Sequence, residues 1–178
     1  MRNKGQDVST IPVNLPAGDF SVHDITAIQP FLKKIKDGLY LEIGVKHGLS
    51  LAIARHYAPE AKIYGIDISN IDFDYKYFED KDVNFIDKSS DEVARTWNKK
   101  IDLLFIDGDH ERNQVTKDIK NYSKWVKKDG HIVFHDFDIT STGVIMAVDD
   151  FAQNNNLVLT YHRFSKPGLA TSLASIKM

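Results

Sequence analysis

The sequence predicts an α/β protein built around a mostly parallel sheet, and three patterns carry this prediction. Five short apolar runs have the character of buried strands and alternate with stretches of helical period; they lie at 39–43, 62–67, 83–87, 101–106 and 131–134. A glycine or an acidic residue ends or directly follows four of these runs, namely Gly44, Asp67, Asp87 and Asp107. Two more apolar stretches, 157–161 and 169–176, close the chain as an antiparallel pair. Right-handed crossovers leave few topologies for this order. We therefore expect a Rossmann-like, seven-stranded sheet with helices on both faces and the last strand antiparallel.

Caps and apolar periods place the helices between these strands. Ser21 can cap a helix whose apolar face is formed by Ile25, Ile28, Leu32 and Ile35. A helix from 111 to 127 would turn four apolar residues inward, namely Val115, Ile119, Tyr122 and Val126. A further helix is expected at 143–151. The stretch 71–82 alternates aromatic and acidic residues, so it is either a helix packed on the sheet or a loop that contacts ligand; packing is favoured for Phe78.

Composition sets broad limits on function. A chain of 178 residues with 42% hydrophobic and 27% charged residues fits a globular domain. We expect an irregular arm over residues 1–20, either a frayed end or a flap over a site, and one domain over 21–178. The formal charge of −2 gives no electrostatic reason to expect nucleic acid or an anionic membrane as a partner. The sequence contains no cysteine, no long apolar span and no apolar core of a signal peptide, so a cytoplasmic protein is expected.

The first strand leads into a glycine turn and then a helix. Its pattern is Glu42-x-Gly44-x-x-x-Gly48-x-Ser50. A strand, a glycine turn and a helix N-terminus bring backbone close to a ligand, because glycine lacks the Cβ that would block the turn or the approach. A dinucleotide fingerprint would need glycine where this chain has Lys46. The alternative is an ordinary turn whose glycines serve packing.

An acid at the end of the second strand points to a nucleoside. Asp67 stands where Rossmann-like folds hold ribose hydroxyls, and a carboxylate can accept two hydrogen bonds from a vicinal diol. A helix cap is the structural alternative for Asp67. Glu42 and Asp67 together favour a nucleoside ligand more than either acid alone.

Two further motifs complete a family resemblance. They are Ile-Asp-Gly-Asp-His at 106–110 and Gly-His-Ile-Val-Phe-His-Asp at 130–136. With the glycine turn, they resemble the class I S-adenosylmethionine (SAM) methyltransferases over about residues 22–178, and most closely the small bacterial group related to sugar and macrolide O-methyltransferases. The resemblance implies that the turn holds the methionine part of SAM, with Glu42 and Ser50 beside it. The acid that meets the adenine amino group in that family is missing at 88–90, where Ser89 or the neighbouring Asp87 could substitute.

The fourth and fifth strands should bring polar side chains together at one sheet edge. Asp107, His135 and Asp136 follow these neighbouring strands, and two carboxylates with an imidazole can bind Mg²⁺ or Mn²⁺. The resemblance implies carboxylate ligands at Asp107 and Asp136, whereas His135 stands where the sugar enzymes carry an acid. The alternative is that His135 and Asp136 only end the strand and position the cofactor. A metal therefore stays open at this point.

His110 is the candidate catalytic base, with Asp107 beside it. Histidine exchanges protons near neutral pH, and the resemblance implies this role for a histidine three positions after the first metal-binding aspartate. A histidine that caps the following helix is the alternative. The sequence thus predicts SAM-dependent O-methylation of a small hydroxylated substrate, with a homo-oligomer left open. The competing hypotheses are a nicotinamide-dependent oxidoreductase and a non-catalytic SAM-fold subunit.

Overall fold

The fold is one seven-stranded sheet flanked by helices, in a computed structural model that describes residues 14–68, 72–163 and 170–178. The strands are β1 Leu39–Ile43, β2 Lys62–Asp67, β3 Val83–Asp87, β4 Ile101–Ile106, β5 Val126–Phe134, β6 Leu159–Arg163 and β7 Ala170–Lys177. The helices are α1 Val22–Leu32, α2 Leu49–Tyr57, α3 Tyr75–Phe78, α4 Ser90–Ala94, α5 Arg112–Tyr122 and α6 Thr142–Asn154. None of the helices within these described ranges combines the length and apolar character that a bilayer crossing requires.

The strand order across the sheet is β3-β2-β1-β4-β5-β7-β6. Strands β1 to β5 pair in parallel, and β7 runs antiparallel to both β5 and β6. The predicted fold class is therefore confirmed, including the antiparallel last strand. Because the carboxyl ends of β1, β2, β4 and β5 meet at one edge, the polar residues that follow them converge there.

Alternating side chains of the sheet divide the core into two layers. Tyr40, Leu103 and Phe105 face one layer, which α1 and α2 cover with residues such as Ile28 and Leu51. Their strand neighbours face the other layer, which α4, α5 and α6 cover; examples are Leu41, Leu104, Ile119 and Val148. The period of two along each strand produces this division.

Helix α1 begins as the sequence predicts. Ser21 is its N-cap, and the Ser21 hydroxyl accepts from the amide of Asp24 at 3.2 Å while the Asp24 carboxylate accepts from the amide of Ser21 at 2.9 Å. This reciprocal capping box satisfies two amides that a helix start leaves without partners. Pro30 lies in the last turn, and the helix ends two residues later at Leu32.

The predicted helix over 111–127 was too long. α5 ends at Tyr122, a 3-10 turn covers Ser123–Trp125, and β5 begins at Val126. Val126 pairs with Ile101 of β4, so its burial comes from the sheet rather than from a helix face. An apolar residue at position 126 fits both a helical period and a buried strand, so the sequence pattern does not distinguish the two.

Candidate active site

A cavity of about 760 Å³ opens at the carboxyl edge of the sheet. Its wall includes the turn after β1, the ends of β2, β4 and β5, the start of α4, part of α5 and residues 17–20 of the arm. A volume between roughly 300 and 1,000 Å³ is typical of sites for small molecules and cofactors. This position is also where ligands bind in open α/β sheets.

The turn after β1 approaches the end of β4 closely. Gly44 and Gly48 have φ values of 86° and 96°, and Lys46 between them has a φ of 50°. A Cβ on Gly44 would overlap the carbonyl of Asp107, and a Cβ on Gly48 would lie 2.6 Å from the Phe78 ring. Both glycines are therefore required by conformation and by contact, and the turn borders the cavity with its backbone.

Asp67 braces this turn from the end of β2. Its Oδ2 accepts hydrogen bonds from the amides of Val45 at 2.7 Å and Lys46 at 2.8 Å. The carboxylate also lines the cavity. Asp67 thus fixes the shape of the glycine turn and borders the space where a ligand would lie. Its contact with a ribose stays a prediction.

Glu42 lies behind the cavity wall and is fully buried. Its carboxyl group meets the hydroxyl of Tyr40 at 2.8 Å and the hydroxyl of Ser50, and Ser50 in turn lines the cavity. Burial raises the pKa of Glu42 to about 8, although the Ser50 and Tyr40 hydrogen bonds oppose that rise. Glu42 therefore reaches a ligand through Ser50, and its organising role stays a prediction.

The raised pKa of Glu42 predicts that the free energy of unfolding depends on pH. The folded protein keeps the Glu42 proton up to pH about 8, whereas an ordinary glutamate loses it near 4.5. The contribution of Glu42 to stability should therefore be full below pH about 4.5 and fall as pH rises towards 8, by at most about 1.4 kcal/mol per pH unit. In Glu42→Gln the fall should be shallower by this amount, while the contributions of Asp118 and His135, whose pKa values are also raised, remain. Urea unfolding at pH 5 and pH 8 measures it, with the exposed Glu60→Gln as control. An equal slope in wild type and Glu42→Gln would contradict the buried protonated acid.

His135 joins three acids at the end of β5. Its Nδ1 lies 3.1 Å from Asp107 Oδ1 and 3.0 Å from Asp136 Oδ2, and its Nε2 lies 3.6 Å from Asp24 Oδ2 on α1. Burial alone would lower the pKa of His135, but the interactions with these carboxylates outweigh it and raise that pKa to about 12. His135 is therefore a buried cation that holds Asp107 and Asp136 beside each other. The ring of Phe20 covers it at 5.5 Å between centroids.

His110 lies on the cavity side of the same cluster. Its Nε2 is 2.9 Å from Asp136 Oδ2, and about half of its side chain is exposed. The alternative role, in which His110 caps α5, is not the one observed: Glu111 is the N-cap, and Asp109 Oδ1 accepts from the Glu111 amide at 2.7 Å. Asp136 has a φ of 51°, an unusual value for a non-glycine residue that places its side chain between the two histidines.

One candidate metal cluster includes His110 and not His135. One ligand atom each from Asp107, His110 and Asp136 lies within 4.8 Å of the others. His135 was predicted as a ligand; its Nδ1 lies 3.1 Å from Asp107 Oδ1 and 3.0 Å from Asp136 Oδ2, and its assignment stays a prediction. The geometry therefore favours His110 as the third member, while any metal at this site stays a proposal.

The part of the cavity wall formed by α4 and α5 contains residues that the sequence did not single out. Ser89, a predicted cofactor residue, lines the cavity together with Ser90, and Gln114 and Asp118 of α5 join them. Asp118 is 2% exposed, and its Oδ1 accepts from the Ser90 hydroxyl at 2.5 Å. A signal was present: Asp118 falls on the same helical face as Val115, Ile119 and Tyr122, which makes it an acid on an apolar stripe.

Part of the arm borders the cavity, whereas Phe78 of the aromatic-acidic stretch packs in the core. Residues 17–20 line the cavity, and Asp19 pairs with Lys46 at 2.8 Å, while a role of the arm as a flap stays a prediction; residues 1–13 lie outside the described part of the chain. Phe78 is buried and stacks on Phe73 at 5.0 Å, which confirms the packing prediction for Phe78. Residues 69–71 also lie outside the described ranges.

Residues 41–137, which contain every one of these motifs from the glycine turn to Asp136, match the family described as "Methyltransferase domain". The chain belongs to this methyltransferase-domain family. One curated relative is "Uncharacterized protein R132" of Acanthamoeba polyphaga mimivirus, which is 32% identical over 117 residues. The match covers 57% of this chain and 53% of that relative, so it spans about half the length of R132.

Solved structures share the fold of this methyltransferase domain. An O-methyltransferase from Bacillus cereus in complex with S-adenosylhomocysteine (SAH) is 16% identical, with a TM-score of 0.72 over 93% of this chain and 85% of that chain. MycE of the mycinamycin pathway, in complex with Mg, SAH and mycinamycin VI, is 21% identical, with a TM-score of 0.59 over 89% and 49%. An rRNA methylase from Streptococcus thermophilus is 11% identical, with a TM-score of 0.68 over 86% and 95%. The predicted resemblance to class I methyltransferases is confirmed.

Proposed function

We propose that this methyltransferase domain moves a methyl group from SAM to a hydroxyl oxygen of a small substrate. One observation carries the proposal: a single cavity joins the glycine turn braced by Asp67 to the His110–Asp136 pair at the ends of β4 and β5. The first part suits a nucleoside cofactor, and the second suits removal of a proton. The B. cereus and MycE structures support the choice of cofactor.

The charges of the cavity fit SAM. Among the described residues, seven aspartates but a single lysine line it: Asp19, Asp67, Asp91, Asp107, Asp109, Asp118 and Asp136 against Lys46. SAM supplies a methyl group on a positively charged sulfur and also carries an ammonium group. An acidic cavity favours such a cation over the pyrophosphate of a nicotinamide dinucleotide, which would be repelled. The residues present therefore fit the proposed cofactor.

His110 is the proposed base. A hydroxyl acceptor must lose its proton as the new bond forms, and a neutral imidazole in the cavity can accept that proton. Asp136, 2.9 Å from Nε2, orients the ring and stabilises the charge that forms on it. The hydrogen bond from His135 lowers the pKa of Asp136 and keeps it ionised for this task. Asp107, at the turn after β4, completes the acidic wall beside His110.

The geometry also allows a divalent metal ion at this site. Asp107 and Asp136 would hold it, with His110 within reach as a third ligand. Carboxylates suit Mg²⁺ or Mn²⁺, which would lower the pKa of a substrate hydroxyl. An ion bound only by the carboxylates leaves His110 able to act as the base, whereas an ion that also takes His110 does not.

Metal binding makes a measurable prediction. Mn²⁺ should raise the melting temperature of the wild type, because a ligand that binds the folded state stabilises it. The rise should be lost in Asp107→Asn, which removes a charge at nearly constant shape, and retained in the exposed Asp150→Asn. Differential scanning fluorimetry measures all three. A wild type that responds to neither Mn²⁺ nor Mg²⁺, with activity that survives chelation, would contradict the ion and leave Asp107 as a positioning residue.

Variants of Asp67 test the proposed contact with the nucleoside part of the cofactor. Asp67→Ala should weaken SAH binding by about 1.5–3 kcal/mol, because a charged acceptor for the ribose diol is removed. Asp67→Asn keeps an oxygen for the amides of Val45 and Lys46 and separates loss of charge from collapse of the turn. Calorimetry with SAH gives the affinities, and thermal melts verify folding. A folded Asp67→Ala with wild-type affinity would remove Asp67 from the cofactor site.

A further inference from the structure

The cavity contains a buried acid that the proposed chemistry does not use. Asp118 of α5 is 2% exposed, yet it lines the cavity together with Ser90 and Gln114. It stands next to the first turn of α4, where it accepts from the Ser90 hydroxyl. A buried carboxylate is costly unless hydrogen-bond donors reach it, so its presence in a ligand cavity requires an explanation.

Hydrogen bonds fix the orientation of this carboxylate. Oδ1 of Asp118 accepts from the Ser90 hydroxyl at 2.5 Å and from Gln114 Nε2 at 3.3 Å. Gln114 Nε2 also donates to the Ser90 hydroxyl oxygen at 3.4 Å, and the Tyr122 hydroxyl donates to the Ser90 carbonyl at 2.7 Å. Both hydrogen bonds that Asp118 accepts from described residues go to Oδ1. Oδ2 is therefore the oxygen that a ligand in the cavity can use.

The position of Asp118 in the cavity indicates which part of the ligand it would contact. Asp67 at the end of β2 marks the ribose, and β3 lies on the outer side of β2, away from β4 and β5. Helix α4, which follows β3, packs on β2 and on α5. A nucleoside whose reactive end lies beside His110 and whose ribose lies beside Asp67 places its base near Ser89 and Ser90. Adenine carries an exocyclic amino group, which is a hydrogen-bond donor. A carboxylate accepts from a donor and repels a carbonyl oxygen.

We infer that Asp118, held by Ser90 and Gln114, is the acceptor for the adenine amino group and makes the cavity selective for 6-amino over 6-oxo purines. This inference rests on the proposed use of SAM. It moves the adenine acceptor from the loop after β3, where Ser89 and Asp87 were candidates, to α5. Ser89 is occupied as the N-cap of α4, where it accepts from the Glu92 amide at 3.2 Å and donates to the Glu92 carboxylate at 3.1 Å. Asp87 is exposed and does not line the cavity.

The state of Asp118 is consistent with an acceptor at neutral pH. Burial raises the pKa of Asp118 to about 6, against hydrogen bonds from Ser90 and Gln114 that lower it. At pH 7.5 the group is therefore mostly ionised. An amino group that donates to it supplies a further favourable contact for that buried charge.

The experiment compares SAH with its 6-oxo analogue, S-inosylhomocysteine, by calorimetry at pH 7.5. The wild type should bind the analogue about 10- to 100-fold more weakly, because the oxo group faces a carboxylate that has lost its donor. In Asp118→Asn, whose amide can donate to an oxo group, the preference should shrink to less than about threefold. Asp91→Asn, a cavity-lining acid one residue beyond Ser90, should keep the wild-type preference.

The outcomes separate a failure of the Asp118 assignment from a failure of the proposed use of SAM. A wild type that binds SAH and the analogue equally overturns the Asp118 assignment without any variant, and so does a folded Asp118→Asn that keeps the full preference. If Asp118→Asn does not fold, Ser90→Ala replaces it, because loss of the hydroxyl frees the carboxylate and should reduce the preference. A wild type that binds neither ligand contradicts the proposed use of SAM instead.

Discussion

Replacing His110 by alanine is expected to lower kcat by about 10²–10⁴ while the affinity for SAH stays within about twofold of wild type. The imidazole is the proton acceptor of the proposed reaction, and it lies in the cavity 2.9 Å from Asp136 rather than against the nucleoside end. The effect should therefore appear in turnover and not in cofactor binding. Single-turnover kinetics with a methyl acceptor, with calorimetry on SAH, measure the two quantities separately.

The pH dependence distinguishes a base from a structural residue. Wild-type turnover should fall on the acid side as an imidazole base becomes protonated, and this limb should be absent in His110→Ala. His56→Ala, which removes an exposed histidine of α2 outside the cavity, is the matched control and should retain both the rate and the limb. If His110→Ala kept most of the rate and its acid limb, Asp107 with a bound ion would become the centre of the chemistry.

Replacing Gly44 by alanine is expected to destabilise the protein by about 2–5 kcal/mol. Alanine is strained at a φ of 86°, and its Cβ would overlap the carbonyl of Asp107, a backbone group that cannot move aside cheaply. The same overlap would push the end of β4 away from the turn and distort the cavity. Denaturant unfolding measures the loss of stability, and SAH affinity should fall in the same variant.

Gly108 provides the matched control for this prediction. It lies beside Gly44 in the same wall of the cavity, but a Cβ there would meet its nearest neighbour, the Ile43 side chain, at an ordinary 3.6 Å. Gly108→Ala should therefore change the free energy of unfolding by no more than about 1 kcal/mol. Equal losses for Gly44→Ala and Gly108→Ala would show that neither conformation nor close contact explains the glycine of the turn.

Most of the fold could be read from local patterns in the sequence. The strand at 39–43, the cap at Ser21 and the pairing at the end of the chain each follow from apolar period or side-chain chemistry within a few residues. The error at the end of α5 arose where local patterns are ambiguous. Val126 continues the helical stripe of Val115, Ile119 and Tyr122, and only its pairing with Ile101 assigns it to β5.

The candidate site could be predicted in part for the same reason. Asp107, His110 and Asp136 follow strands that the parallel topology brings together, so their convergence was expected. The contact of His135 with Asp24 joins residues 111 positions apart through the packing of α1 on the sheet, which no local pattern predicts. This contact explains why His135 is a buried cation. Its assignment as a metal ligand stays a prediction.

The most direct test of the central claim is a calorimetric titration of the wild type with SAH and, separately, with NAD. SAM-dependent methyl transfer requires one SAH site per chain with an affinity in the micromolar range, about −8 kcal/mol, and no comparable binding of NAD. The glycine turn with Lys46 in place of a glycine, and the excess of aspartates in the cavity, both predict this result. Tight binding of NAD with no detectable binding of SAH would contradict the account.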